Sequence, residues 1–111
     1  MADLEIINAT IPAGQTVSRP IGTGFKVIVG FVIPAGYASG ALKFNASPDG
    51  TNFLSYVDNT GAAITIATPA AGTFIAVDSD FFAGVNLLQL VVATAPGANT
   101  IIGVVVRSVS F

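Results

Sequence analysis

The stretch Leu42-Lys43-Phe44-Asn45-Ala46-Ser47-Pro48-Asp49-Gly50-Thr51-Asn52-Phe53 decides the fold class. Apolar and polar residues alternate on either side of a turn whose residue types nearly dictate its geometry. Pro48 presets φ for the second position of a type I turn, and Asp49 suits the third position and can accept hydrogen bonds from its own backbone. Gly50 supplies the left-handed residue that closes a bulged hairpin. The segment therefore predicts two antiparallel strands.

Working outward, Pro and Gly recur at short intervals: Pro12-Ala13-Gly14, Pro34-Ala35-Gly36, Pro48-Asp49-Gly50, Pro69-Ala70-Ala71-Gly72 and Pro96-Gly97. The runs between them are rich in Val, Ile, Phe and Thr, and no 3.6-residue apolar period persists, which predicts short strands joined by tight turns. Strands are expected over Leu4–Ile11, Thr16–Arg19, Phe25–Ile33, Gly40–Ser47, Phe53–Val57, Ala63–Ala67, Thr73–Val77, Leu87–Thr94 and Thr100–Ser110. The fold class that follows is all-β, an antiparallel two-sheet β-sandwich of about eight or nine strands. Ile-Pro-Ala-Gly occurs at both Ile11–Gly14 and Ile33–Gly36, but the flanking residues do not repeat, so it is reused turn chemistry. The 111 residues are expected to form one domain, residues 1–111, with residues 1–11 as an N-terminal arm or edge strand.

Composition narrows the function class. There is no cysteine, histidine or tryptophan. The commonest general base and the commonest transition-metal ligands are thus missing, and no disulfide framework exists. Four basic residues, Arg19, Lys26, Lys43 and Arg107, are scattered against six acidic ones, leaving no phosphate-tracking patch. Nucleic acid is therefore not an expected partner. The chain is 52% hydrophobic and only 9% charged, with a mean hydropathy of +0.78; about a quarter of residues are charged in an ordinary domain. The longest uncharged run, Phe81–Val106, would suffice in length for a bilayer span of about 20 residues. It contains Asn86, Gln89, Pro96, Gly97, Asn99 and Thr100, and reads as two strands and a loop, so no membrane is expected either. The acidic start, Met-Ala-Asp-Leu-Glu, disfavours a secretory signal.

Alternation assigns faces. Phe25, Val27, Val29, Phe31 and Ile33 should share one face, with Lys26, Ile28, Gly30 and Val32 on the other. In the last strand Ile101, Gly103, Val105, Arg107 and Val109 alternate with Ile102, Val104, Val106, Ser108 and Ser110, so both faces are apolar. Two-sided apolar strands imply a covering segment or a subunit contact.

Each potential site has a simpler reading. Asp78 and Asp80, with Asn86, offer oxygens for calcium, but that ion takes six or more, and a solvated turn accounts for them. Asp58-Asn59-Thr60-Gly61 begins like a calcium loop without its distal glutamate and reads as a hairpin turn. Asp49, Asp58, Asp78 and Asp80 all fall in expected turns, where their pKa values should be ordinary. No catalytic, cofactor-binding or metal-binding residue is assigned, and an enzyme is not expected. Tyr37, Tyr56, Phe53, Phe81 and Phe82 could make a glycan-stacking platform, although phenylalanines more often anchor cores and interfaces. The interface candidates are Leu4, Ile6, Ile7, Tyr37, Phe81, Phe82, Val104 and Val106.

Gly30, Ile33–Tyr37, the hairpin Ala41–Phe53, Asp58, Gly61, Ile75–Asp78, Phe82 and Gly84 together resemble a family of small virion structural proteins of tailed bacteriophages. The family pattern is a Pro-Ala segment, an apolar-Phe-x-Ala-Ser-x-Asp-Gly-x-x-Phe hairpin and a Phe-x-Gly turn, and the match covers about half the chain. Tyr37 stands where the family carries tryptophan, and Val91–Asn99 replaces a Ser-Gly-rich segment. The resemblance implies a jelly-roll-like sandwich on the outer surface of the phage head, made in the host cytoplasm. It further implies a decoration or cement protein that is a homotrimer bound to the major capsid protein. A tail or neck accessory protein and a host-glycan-binding module are the alternatives.

Overall fold

The first and last strands lie side by side. Leu4–Ile11 (β1) pairs antiparallel over its whole length with Thr100–Ser108 (β8), from Leu4 opposite Arg107 to Ile11 opposite Thr100. The computed structural model describes residues 4–24, 26–77, 82 and 85–108. Between β1 and β8 come β2 (Ile21–Gly22), β3 (Lys26–Val32), β4 (Leu42–Ser47), β5 (Leu54–Ser55), β6 (Phe74–Ala76) and β7 (Leu87–Val92). They form two four-stranded antiparallel sheets in the orders β1-β8-β3-β6 and β2-β7-β4-β5. The pairing is nested: β1 with β8, β2 with β7, β3 with β6 and β4 with β5. The pairs β3–β8 and β4–β7 then join neighbours within each sheet. A strand ribbon rolled up in this way is a jelly roll, an eight-stranded sandwich.

The core lies between the sheets. Ala9, Ile11, Ile28, Phe31, Ile102, Val104 and Val106 from one sheet meet Leu42, Phe44, Leu88, Leu90 and Val92 from the other, all buried. Phe31 and Phe44 stack across the gap with ring centroids 5.1 Å apart, and Phe82 meets them edge-on at 5.8 and 5.1 Å. Burying each such ring contributes about 1.5–3 kcal/mol, so this aromatic cluster is a principal bond between the sheets. Buried hydroxyls are satisfied: Thr23 Oγ1 donates to the Val85 carbonyl at 3.0 Å, and Ser18 Oγ accepts from the Leu90 amide at 2.9 Å.

Several expectations change. The alternation expected through β3 breaks because Ile28 pairs with Val106 while Gly30 pairs with Val105, leaving Val29 as a bulge. One extra residue reverses parity, so Ile28 faces the core together with Phe31 and Ile33. Beside the bulge, Gly30 permits the close approach of β6: a Cβ there would lie 2.5 Å from Phe74 Cε1 and 2.7 Å from the Ile75 carbonyl oxygen. The strand expected at Thr16–Arg19 is a single bridge, Val17 to Val91, and pairing with β7 resumes only at Ile21, beyond Pro20. Proline has no N–H for the ladder, and the Arg19 amide donates instead to the Thr10 carbonyl of the other sheet at 3.1 Å. The strand expected at Ala63–Ala67 is reduced to two bridges, Val57–Ala63 and Leu42–Ile66. Phe25 lies outside the described residues. Residues 4–11 are an edge strand rather than a separate arm, with Ala9 and Ile11 fully buried. The uncharged run from Phe81 to Val106 contains β7, a turn and most of β8. Among the described residues no helix is long and apolar enough to cross a membrane.

A candidate interaction face

The outer side of the β1-β8-β3-β6 sheet is built from the residues that alternate with the core. Register sets them in rows: Leu4, Arg107 and Val27; then Ile6, Val105, Gly30 and Ala76; then Asn8, Gly103, Val32 and Phe74; then Thr10 and Ile101. Six large apolar side chains are conspicuously exposed among the described residues, and four of them stand here. They are Leu4 at 54%, Ile6 at 62%, Phe74 at 59% and Ile101 at 49%. Two glycines let them lie flat. The Phe74 ring occupies the space over Gly30, and Ile6 and Val32 close over Gly103, where a Cβ would lie 3.0 Å from Ile6 Cγ2. With strands about 4.8 Å apart and a rise of about 3.4 Å per residue, the rows cover roughly 300 Å², with Asn8, Thr10 and Arg107 interspersed among the apolar residues.

The outer side of the β2-β7-β4-β5 sheet is different. Lys43, Asn45, Ser47 and Gln89 alternate there with the core residues Leu42, Phe44, Leu88 and Leu90. Asn45 Nδ2 donates to Gln89 Oε1 across the β4–β7 pair at 3.4 Å. Leu87 and Val91 share that side, half-buried, but four of the six conspicuously exposed apolar side chains among the described residues stand on the β1-β8-β3-β6 face.

The carboxylates serve turns. In the β4–β5 connection Asp49 Oδ1 accepts from the Thr51 and Asn52 amides at 2.9 and 2.8 Å and from Ser47 Oγ at 3.2 Å. Asp49 Oδ2 accepts from Asn52 Nδ2 at 2.9 Å, and Gly50 takes the left-handed conformation with φ of 82°. The amide donors of Asn52 and Thr51 hold the Asp49 carboxyl far below the usual range. Asp58 accepts from the Thr60 hydroxyl and amide at 2.6 and 2.8 Å and from the Ala62 amide at 3.1 Å, and the Thr60 donors lower its pKa as well. The expectation of ordinary pKa values is thus corrected for both residues: each carboxylate is held ionised by the turn it closes. Asp78 and Asp80 lie outside the described residues. Among the described residues no group of three or more carboxylates converges.

Two surface clefts accompany the face. One of about 510 Å³ lies between loops at Pro34, Ser39, Pro96 and Asn99. The other, about 450 Å³, opens at the side of the sandwich between β6 and the Ala63–Ile66 segment, with Phe44 and Phe82 among its walls.

The sequence-derived interface candidates separate into groups. Leu4 and Ile6 are exposed on the apolar face, and Ile7 is half-buried against the core. Tyr37, Phe82, Val104 and Val106 are core residues, 8%, 1%, 0% and 0% exposed, and have no surface to offer a partner. Tyr37 donates its hydroxyl to the Gly40 carbonyl at 2.6 Å, and desolvation raises its pKa. Phe81 lies outside the described residues. Of the residues named for a glycan platform, Tyr37 and Phe82 are buried, Phe53 and Tyr56 are half-buried, and the Tyr56 ring stacks on Phe82 at 5.8 Å. Sequence reasoning missed Phe74 and Ile101; the available signal was that each alternates with residues of opposite burial once the inward face is known. No family model, curated protein or solved structure matches the chain.

Proposed function

We propose that this protein is a non-enzymatic virion structural subunit of a tailed bacteriophage, a decoration or cement protein bound to the outer surface of the head. The observation that carries this reading is the difference between the two outer faces. A subunit lying on a larger shell needs one side that prefers contact and one that prefers water. The face bearing Leu4, Ile6, Phe74 and Ile101 suits the first role, and the face bearing Lys43, Asn45 and Gln89 suits the second. The resemblance of the Ala41–Phe53 hairpin to small virion proteins, and the jelly-roll strand order that such proteins imply, support the same reading.

The mechanism is mechanical. Removing apolar surface from water at about 25 cal/mol per Å², on a site formed by adjoining capsid subunits, favours the closed shell. Binding to the closed state alone stabilises it by mass action. The test is copy number in purified particles, by quantitative mass spectrometry against the major capsid protein. A small whole-number ratio to the capsid subunit is expected. Abundance at the level of the portal would make the protein a tail or neck component, and absence from particles would overturn the virion reading.

A further inference from the structure

Edge strands differ sharply in this fold. β2 and β5 are two residues long and β6 three, too short to template much pairing, whereas β1 runs for eight residues as the edge of its sheet. It carries no proline, lysine or bulge, and its one charge, Glu5, is paired with Lys26 of its own sheet.

Backbone parity shows which groups are free. In a strand the N–H and C=O of one residue point to the same side and the next residue's to the other. The Thr10 carbonyl accepts from the Arg19 amide, so Thr10 points away from β8, and with it Leu4, Ile6 and Asn8. The opposite edge gives the same answer. Ile33 bonds Thr73 and Gly72 on the β6 side, and counting back through β3 and β8 again turns Leu4, Ile6 and Asn8 outward. Thr10 is already engaged, so among the described residues the unpaired edge is Leu4, Ile6 and Asn8.

We propose that β1 pairs antiparallel with β1 of a second copy of this chain, about a two-fold axis through Ile6. Three free residues at alternate positions are self-complementary only about their middle member. Ile6 then opposes Ile6 of the other copy, and Leu4 opposes Asn8. A centre at Asn8 would set Ile6 against Thr10, whose carbonyl is occupied. A centre at Glu5 would oppose two like charges, which is destabilising. In the Ile6 register Glu5 faces Ile7 instead, and each Glu5 is already paired with its own Lys26. The joined sheet also makes one continuous apolar outer face from two, since Leu4 and Ile6 of both copies meet at the axis. Edge pairing over five residues is smaller than the roughly 800 Å² per partner of a standard interface, so the dimer is weaker than about 1 μM.

The inference concerns the isolated protein, departs from the homotrimer that the resemblance implies, and is tested apart from particle copy number. Sedimentation equilibrium of the wild type should show a monomer–dimer equilibrium. Ile6→Lys and Ile6→Glu each place a charge beside its own copy across the axis and should be monomeric alone. Mixed, they should restore a heterodimer. Ile6→Pro removes an N–H that points away from β8, a substitution edge strands accommodate, and should weaken association at least about tenfold, with the sheet signal in circular dichroism retained. A wild type that stays monomeric to about 1 mM, a trimer, or a Lys/Glu mixture that does not associate would overturn the proposal.

Discussion

The two sheets share one core and differ on their outer sides. On the β1-β8-β3-β6 sheet the positions alternating with the core include Leu4, Ile6, Val105, Val32, Phe74 and Ile101 beside the polar Asn8, Thr10 and Arg107; on the β2-β7-β4-β5 sheet Lys43, Asn45 and Gln89 stand beside Leu87 and Val91. Folding alone requires only the inward face to be apolar. The exposed apolar side chains gathered over Gly30 and Gly103 are not required by folding and are the basis of the contact surface proposed above. The lesson is that high hydropathy in a small sandwich is best located before it is interpreted, because the average does not tell core from surface.

The largest expected effect removes the comparison altogether. Phe44→Ala, like Phe31→Ala, empties the aromatic cluster that joins the sheets and should cost about 3–5 kcal/mol, read as a fall in the denaturation midpoint. If either variant unfolds at the wild-type midpoint, the sheets are not held by that cluster. Next come the glycines. Gly30→Ala drives a Cβ into the Phe74 ring and the Ile75 carbonyl and should cost about 1–3 kcal/mol. Gly22→Ala, on the other sheet, meets Leu87 Cδ2 at 3.6 Å, an ordinary contact, and should stay within about 0.5 kcal/mol. Equal losses would show that the close packing over Gly30 is not special.

A third pair of variants separates contact from stability. Ile6→Thr with Ile101→Thr keeps β-branched side chains at exposed positions and should change stability by less than about 1 kcal/mol in sum, yet abolish binding to particles. Lys43→Thr on the polar face should leave binding intact, and loss of binding in that control would reverse the assignment of faces. The smallest effect is electrostatic. Asp49 and Asp58 both border the β4–β5 hairpin, and both have folded-state pKa values below the ordinary 3.8. Their contributions are fully present above the unfolded value and are lost as pH falls through the folded one. The Thr51 and Asn52 amide resonances should therefore titrate with a midpoint well below 3.8, as followed by NMR. A midpoint at the ordinary value would mean that the turn hydrogen bonds do not form in solution.

Much of the fold was legible because strand and turn chemistry is local. Leu4–Ile11 has the observed bounds, and Pro48-Asp49-Gly50 turns where it should. The failures have physical causes. Period-two alternation tells which residues share a face but not which face looks inward, and where both are apolar the choice is undetermined. That is why Val104 and Val106 read as contact residues and prove to be core, while Ile101, their outward neighbour in sequence, was passed over. A bulge is invisible to the same rule, since Val29 shifts parity without any change in composition. Tyr37 and Phe82 illustrate a third limit. Both lie outside the strands, where no period applies, and only tertiary packing buries them.

The nested strand order has a consequence for the folding chain. Every partner of β1 in its ladder lies at the far end of the sequence, Leu4 beside Arg107 and Ile11 beside Thr100. Everything up to β8 must be synthesised before the first strand can pair, and the loop closed to do so contains all six strands between them. Topologies dominated by such distant contacts fold slowly, on the order of milliseconds to seconds. During that interval Leu4, Ile6 and Ile7 wait in solvent on a strand with no partner, so the nascent protein passes through a period of exposure set by its topology.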